Sequence, residues 1–193
     1  MSKQNNETIL RALGWKSSFT ELYSAYLAEP NRSLHRVTEV QRTGLIVAPP
    51  LKGERSKVPI GGKWFQRPER DRPTVGDWVM LDPIDGRLVE VLPRSSLLAR
   101  LSPAGNGTVQ LIAANVDSAF VVTSCNADFN VPRLERYVSV ALEAGIEPVI
   151  VLTKIDQTPD AEAYQAELHA AFQAVACCAL NALEPDAIGL LQP

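Results

Sequence analysis

The sequence predicts two structural units, a small antiparallel β unit followed by an incomplete three-layer α/β unit. Between residues 35 and 98, five short β-type runs are separated by turn formers such as Asp85-Gly86. Beyond residue 108, buried-type strands alternate with amphipathic helices. Charge divides the chain similarly: residues 31–100 hold 13 Lys or Arg and 8 Asp or Glu, whereas residues 101–193 hold 3 and 11. The basic part therefore comes first.

Composition indicates a globular, cytoplasmic protein with no membrane partner. Apolar residues make up 46% of the 193 positions, the first residues are polar, and no apolar run approaches the roughly 20 residues of a membrane span. Cys125, Cys177 and Cys178 fit neither a disulfide framework nor a zinc spacing, so we interpret them as reduced core thiols. His35 and His169 have no neighbouring ligand residue, and we assign them no role.

A helical extension is predicted over residues 1–30. Its main element is a helix over residues 18–28, which begins with a Ser18-x-x-Glu21 capping box and carries apolar residues at helical spacing. We expect this stripe to serve packing rather than binding. The apolar positions are Phe19, Leu22, Tyr23, Tyr26 and Leu27.

Residues 31–100 are predicted to form a five-stranded barrel of the oligonucleotide-binding (OB) type. Five short strands in about 65 residues match the size of that fold, and an SH3-like barrel is the structural alternative. Trp78 alternates with a strand and is expected in the core. The predicted strands are His35–Val40, Gly44–Val47, Lys57–Ile60, Asp77–Leu81 and Arg87–Leu92.

Lys63, Trp64 and Arg67 are the candidate RNA-binding residues of this barrel. Aromatic rings beside cations in a loop are the combination that single-stranded RNA contacts use. The basic balance of residues 31–100 also suits an anionic partner, although an ordinary solvated surface would show the same balance. Alternatively, Trp64 or Phe65 covers the open end of the barrel.

After a linker at residues 101–108, residues 109–193 are predicted to form the first part of a nucleotide-binding α/β domain. Pro132 opens one helix and Gly145 closes it. The β-α-β-α-β order implies parallel strands. Its elements are a strand at Ser118–Thr123, the helix from Pro132, a strand at Pro148–Leu152, a helix over Pro159–Ala174 and a strand at Val175–Cys178.

The strand ending at Leu152 is followed by Thr153-Lys154-Ile155-Asp156, a pattern that suits guanine recognition. Guanine presents two adjacent donors, N1–H and the N2 amino group, and one carboxylate can accept from both. The alternative is that Lys154 and Asp156 are solvated residues closing a buried strand. Neither a Gly-x-x-x-x-Gly-Lys-Ser/Thr phosphate loop nor a Gly-x-Gly-x-x-Gly dinucleotide motif occurs in the sequence.

From about Leu13 to Pro193 the sequence resembles the ribosome small-subunit-dependent GTPase A family, whose members are circularly permuted GTPases. The most specific segments come after residue 111, and two further segments resemble the end of that family's OB domain. The segments are Gly76–Val79, Arg94-x-Ser96-x-Leu98-x-Arg100, Ile112–Asp117, Asp128–Asn130, Arg133–Tyr137 and Pro148–Asp156.

This resemblance implies a monomeric GTPase whose OB domain docks on small-subunit ribosomal RNA late in maturation, with GTP hydrolysis driving release. Thr153, Lys154 and Asp156 would read guanine, and Cys178-Ala179 would supply the loop whose backbone N–H meets the base O6. The family's phosphate loop, its Mg²⁺ ligands and a zinc-binding domain would follow residue 193. A stand-alone OB module that binds RNA or protein without catalysis is the alternative.

We therefore expect these 193 residues to bind GTP or GDP only weakly and not to hydrolyse GTP. A bidentate pair contributes about 1–3 kcal/mol and stacking about as much again, whereas a millimolar Kd requires about 4 kcal/mol. Titration with a fluorescent guanine nucleotide should give a Kd of roughly 1 mM or weaker. A micromolar Kd would contradict this expectation.

Overall fold

The computed structural model describes residues 11–28, 32–49, 54–102 and 107–191. The chain forms two compact units, Met1–Val116 and Asp117–Pro193. Within the described ranges, no helix combines the length and the apolar character that crossing a membrane requires. Residues 1–10 and 29–30 of the predicted N-terminal extension lie outside the described residues.

The helix predicted over residues 18–28 is divided into α1 (Ser17–Leu22) and α2 (Ser24–Leu27). Tyr23 separates them because its backbone, with φ of −103° and ψ of 10°, leaves regular helical geometry. The predicted capping box is wrong, since α1 begins after Lys16 and Ser18 already lies inside the helix.

An aromatic cluster packs these helices against strand residues of the first unit. Phe19 and Tyr23 are buried and stack with their ring centroids 5.1 Å apart. Trp15 meets Trp78 edge-on at 4.9 Å, and Trp78 is fully buried as predicted. Leu22 is 50% exposed and lies outside this cluster, so the apolar stripe is narrower than the sequence indicated.

The first unit contains a five-stranded antiparallel sheet with the strand order β3-β2-β1-β4-β5. A two-residue turn joins the first two strands, because Gln41 pairs with Gly44. All five predicted strands are present, with boundaries within two residues of prediction. They are β1 (Ser33–Gln41), β2 (Gly44–Ala48), β3 (Ser56–Pro59), β4 (Trp78–Leu81) and β5 (Leu88–Val91).

Closure of this sheet into a barrel is not found in the described part of the chain. The edge strands β3 and β5 do not pair with each other. A short helix, α3 (Gly62–Phe65), lies between them in sequence, and its Trp64 Nε1 donates to the Leu88 carbonyl at 3.4 Å. The observed unit is therefore an open antiparallel sheet, and its assignment to the OB fold stays a prediction.

The core of the sheet is built from alternating strand residues and one tryptophan. Trp64 is 1% exposed and packs among side chains from all five strands. Burying a ring of this size contributes strongly to the hydrophobic stabilisation of a small unit. The strand residues of this core are Val37, Leu45, Val47, Val58, Val79, Leu81 and Leu88.

A hairpin occupies the predicted linker at residues 101–108. Strands β6 (Leu97–Leu101) and β7 (Val109–Ala114) pair antiparallel, from Leu97 with Ala114 to Leu101 with Val109. The two compact units instead divide after Val116. The Pro and Gly residues that suggested a linker belong to the hairpin connection, of which residues 103–106 lie outside the described residues.

The end of this hairpin is fixed to the sheet by Asn115. Its side-chain Nδ2 donates to the Gly76 carbonyl at 2.9 Å, and its Oδ1 accepts from the Ser95 backbone N–H at 2.9 Å. Asn115 has a positive φ of 55°, which asparagine tolerates better than most residues. Gly76 is required beside it, because a Cβ at that position would lie 2.1 Å from the Ala114 carbonyl oxygen.

A buried ion pair joins the beginning of β4 to the segment after β5. Arg94 donates through two nitrogens to the two carboxylate oxygens of Asp77, each at 2.7 Å, and Asp77 is 0% exposed. Burial raises the pKa of Asp77, and hydrogen bonds from Arg94 and the Thr74 N–H oppose that rise. Arg94 also donates to the carbonyls of Arg70 and Arg72.

The second unit is a three-stranded parallel sheet in the order β10-β9-β8, as the β-α-β-α-β pattern predicted. Asn130 caps the first of its two helices by accepting from the Arg133 N–H at 2.8 Å, and Gly145, with φ of 70°, follows that helix. The elements are β8 (Ser118–Ser124), α4 (Val131–Glu143), β9 (Glu147–Thr153), α5 (Ala161–Ala171) and β10 (Ala176–Ala179).

Both helices pack on the same face of this sheet, where alternate strand residues form the core with Leu134, Val138 and Leu168. Opposite them, the described residues show only a 3₁₀ turn at Ala187–Leu191 packed on the sheet. The expected three-layer arrangement is therefore present as one helical layer and one sheet. Several apolar side chains stay about half exposed: Phe120, Val122, Tyr137 and Leu142.

Replacing Arg94 with alanine should destabilise the first unit strongly. The substitution leaves the fully buried Asp77 carboxylate without its partner, a change that typically costs about 3–5 kcal/mol. Urea unfolding followed by tryptophan fluorescence measures this, since Trp15, Trp64 and Trp78 all lie in that unit. Arg100→Ala is the matched control, because Arg100 is exposed. Equal unfolding midpoints for the two variants would contradict the prediction.

Candidate functional site

Thr153 ties the ends of two neighbouring strands together. Its Oγ1 donates to the Thr123 carbonyl at 2.8 Å, and its own carbonyl accepts from the Cys125 N–H at 3.0 Å. The side chain of Thr153 is therefore directed at β8. These two hydrogen bonds fix the point at which the Lys154–Asp156 loop leaves β9.

Lys154 and Asp156 lie beyond the carboxyl end of β9 and are both exposed. Lys154 has a left-handed backbone, with φ of 58° and ψ of 35°, and precedes a 3₁₀ turn at Ile155–Gln157 that includes Asp156. A non-glycine residue in that region carries a conformational cost, and such residues are concentrated at functional sites. The turn places Asp156 at the edge of the sheet where open α/β folds bind ligands.

Cys178 and Ala179, which the family resemblance assigned to the guanine loop, are the last two residues of β10. They lie within β10, paired in register with Val151 and Leu152 of β9. The side chain of Cys178 packs with Val151 and Leu180 in a small apolar cluster. Both residues therefore sit inside the sheet, upstream of the level that Thr153 occupies in β9.

The residues that follow this strand pairing are Asn181 and Ala182. Leu180 continues the strand pairing, because its N–H donates to the Leu152 carbonyl at 2.9 Å. Asn181 then starts a turn in which its Oδ1 accepts from the Leu183 N–H at 3.1 Å. Since β9 and β10 are parallel neighbours, this turn and the Lys154–Asp156 segment leave the sheet at the same edge.

The three RNA-binding candidates of the first unit have separate environments. Trp64 is 1% exposed, so its expected role as a stacking platform is replaced by a core role, which was the alternative interpretation. Arg67 lies over its ring at 4.2 Å and Lys63 at 5.8 Å from the ring centroid. The exposed aromatic ring of this segment is Phe65, at 51%.

Lys63 and Arg67 line different clefts. Lys63 contributes to a cleft of about 450 Å³ between the ends of β3 and β5, together with Trp64 and Arg87. Arg67 contributes to a second cleft, of about 270 Å³, whose lining includes Asp71 and Arg94. The nearby Asp71 carboxylate makes this second cleft less favourable for an anion.

The histidines and cysteines of the described residues have ordinary structural surroundings. His35 lies 3.1 Å from the Ser33 hydroxyl, and burial lowers its pKa. Cys125, Cys177 and Cys178 are free thiols, and burial raises the pKa of Cys125 and Cys177. Among the described residues, no group of three or more His, Cys, Asp or Glu side chains is arranged to hold a metal ion.

The RsgA GTPase family profile matches residues 91–193, which is more than half of the chain. The chain belongs to the RsgA GTPase family. Two relatives named small ribosomal subunit biogenesis GTPase RsgA illustrate the similarity. The protein from Xylella fastidiosa strain 9a5c is 41% identical over 82% of this chain and 46% of its own length. The protein from Xanthomonas campestris strain B100 is 36% identical over 97% of this chain and 53% of its own length.

Solved RsgA-like structures share the fold. YjeQ from Thermotoga maritima aligns with a TM-score of 0.59 and 21% identity, covering 77% of this chain and 51% of its own. YloQ, described as a circularly permuted GTPase, aligns with a TM-score of 0.57 and 18% identity, covering 84% of this chain and 56% of its own. The chain thus spans about half the length of the RsgA relatives named here.

The burial of Trp64 predicts opposite results for two adjacent aromatic residues. Trp64→Ala should lower the free energy of unfolding by about 3–5 kcal/mol, because it leaves a large cavity in the sheet core. Phe65→Ala, the matched control, removes a half-exposed ring and should change it by less than about 1 kcal/mol. Urea unfolding followed by circular dichroism measures the free energy of unfolding of both variants. A change of less than about 1 kcal/mol for Trp64→Ala would contradict the core position of Trp64.

Proposed function

We propose that this chain is the guanine-reading and RNA-docking part of a GTPase that assists maturation of the small ribosomal subunit in the cytoplasm. Its membership of the RsgA GTPase family supports the class of activity. The observation that carries the proposal is that two adjacent parallel strands end at one sheet edge, with Lys154 and Asp156 after one and Asn181 and Ala182 after the other.

In the proposed complex, Asp156 accepts hydrogen bonds from N1–H and the N2 amino group of guanine. Adenine offers no such pair of donors, so the carboxylate selects the base. Lys154 lays its aliphatic stem along the purine face, which the exposed left-handed position allows. Backbone N–H groups of Asn181 and Ala182 meet O6, in place of Cys178 and Ala179. Thr153 supports this loop through its hydrogen bond to β8.

Hydrolysis is not assigned to any residue of this sequence. Phosphoryl transfer depends on positioning the phosphates and Mg²⁺, and the 193 residues contain no Gly-x-x-x-x-Gly-Lys-Ser/Thr loop. We propose that these residues read the base, and that phosphate binding and Mg²⁺ chemistry are supplied by residues outside them. The names of the relatives support the small ribosomal subunit as the proposed binding partner.

The alternative is a stand-alone binding module in which Lys154 and Asp156 have no nucleotide role. The charge distribution favours an RNA partner only for residues 31–100, which hold 13 Lys or Arg and 8 Asp or Glu. Residues 101–193 are acidic, with 3 Lys or Arg and 11 Asp or Glu. Guanine preference in the second unit therefore separates the two functions.

Asp156→Asn should abolish the preference of this chain for guanine. A two-dimensional NMR titration with GMP, IMP and AMP suits the weak affinities expected here. Wild-type protein should bind GMP about tenfold more tightly than IMP, which lacks the N2 amino group and so loses one hydrogen bond to the carboxylate. Asp156→Asn should bind all three nucleotides equally poorly.

Two variants control this experiment. Asp160→Asn removes the same charge from a nearby exposed position and should keep the guanine preference. Cys178→Ser should also keep it, because Cys178 lies inside the sheet. Equal binding of GMP and AMP by wild-type protein would favour the stand-alone binding module.

A further inference from the structure

The cleft between the two edge strands of the first unit has features of a ligand site. Its volume of about 450 Å³ is within the range of small-molecule sites in proteins. Its wall comes from the end of β3, from α3 and its approach, and from the beginning of β5. We call it the β3–β5 cleft and define it by Pro59, Gly61, Lys63, Trp64, Arg87 and Leu88.

The charge of this cleft is positive. Lys63 and Arg87 are its two ionisable lining residues, and no carboxylate is among the described residues that line it. Arg87 Nε lies 3.2 Å from an Asp85 carboxylate oxygen, but the two side chains are 77% and 43% exposed. Such an exposed pair is weak, so a phosphate can compete for the guanidinium. Lys63 makes no ion pair within the described part of the chain.

The uncharged part of the cleft suits a nucleotide better than a bare anion. Pro59 and Leu88 give it apolar surface, and the Trp64 ring, held by its hydrogen bond to the Leu88 carbonyl, makes that surface rigid. Gly61 contributes no side chain, and a Cβ built there would meet nothing within 4 Å. The entrance beside Gly61 is therefore open, and a ribose or base can lie against the apolar wall.

We propose that the β3–β5 cleft holds one phosphate-bearing unit of single-stranded RNA. Lys63 and Arg87 contact the phosphate, while Pro59 and Leu88 contact the sugar or base. This inference rests on the proposed RNA-docking function and specifies where the RNA lies. It also separates Lys63 from Arg67, which lines the other cleft beside Asp71. Arg87 was absent from the sequence-based candidates because 24 residues separate it from Lys63.

Filling the cleft without changing its charge is the first test. Gly61 has φ of −71° and ψ of 155°, a conformation that any residue adopts, so Gly61→Phe adds a large ring at a lining position of the cleft without backbone strain. Gly62→Phe is the matched control, because Gly62 is equally open but does not line the cleft. Fluorescence anisotropy with a labelled single-stranded RNA octamer should show about tenfold weaker binding for Gly61→Phe only.

Removing the two cations is the second test. Lys63→Ala/Arg87→Ala should weaken binding about tenfold and reduce the magnitude of the salt slope by about 0.7, since both side chains contact the same phosphate and each neutralised phosphate of a single strand contributes about 0.7. The control is Arg42→Ala/Arg55→Ala, which removes the same charge from exposed positions outside the cleft. That control should change the slope by less than half as much.

Three outcomes would overturn the β3–β5 cleft as the RNA site. The first two are equal effects of the two glycine variants and equal effects of the two double variants. The third is competition by polyglutamate as effective as competition by unlabelled RNA, which would assign the cleft to an acidic protein instead. Binding of the wild-type protein to purified small ribosomal subunits is measured in parallel. If the wild-type protein does not bind them, the proposed RNA docking is contradicted. If it binds and the cleft variants bind equally well, only the assignment of the RNA to the β3–β5 cleft is contradicted.

Discussion

The buried ion pair between Asp77 and Arg94 is the interaction on which the first unit depends. A carboxylate with no solvent contact requires a partner that satisfies both oxygens, and the guanidinium fork does so with two contacts of 2.7 Å. The other donors of Arg94 reach the carbonyls of Arg70 and Arg72. One side chain therefore holds together a strand, the segment after the next strand, and the loop that follows α3.

The cationic residues near α3 have separate surroundings. Trp64 is fixed in the sheet core, and its neighbours in sequence emerge on different sides of it. Arg67 is drawn over the ring at 4.2 Å, toward the cleft that contains Arg94. Lys63 instead joins Arg87 from a distant part of the sequence. The basic segment Lys63–Arg67 therefore contributes to two clefts that differ in charge.

In the second unit, the proposed base recognition uses only the carboxyl ends of two parallel strands. The register of β9 with β10 sets which residues extend past the sheet, and the left-handed Lys154 begins the turn that includes Asp156. Recognition of the base and transfer of a phosphoryl group are separable tasks with separate parts. The residues proposed for the first task follow β9 and β10 of this sheet, and its edge strand β8 has an unpaired side within the described residues.

The sequence alone determined the order and type of the elements, because periodicity and turn residues act locally. It placed five antiparallel strands, the β-α-β-α-β order, and the exposed Lys154–Asp156 segment. Tertiary structure decided what depends on distant partners. The strands β6 and β7 pair across a supposed linker, Trp64 is buried by strands far from it in sequence, and the register with β9 places Cys178 inside the sheet. Local patterns carry no information on register or on which distant side chains meet, so these features appear only in the folded chain.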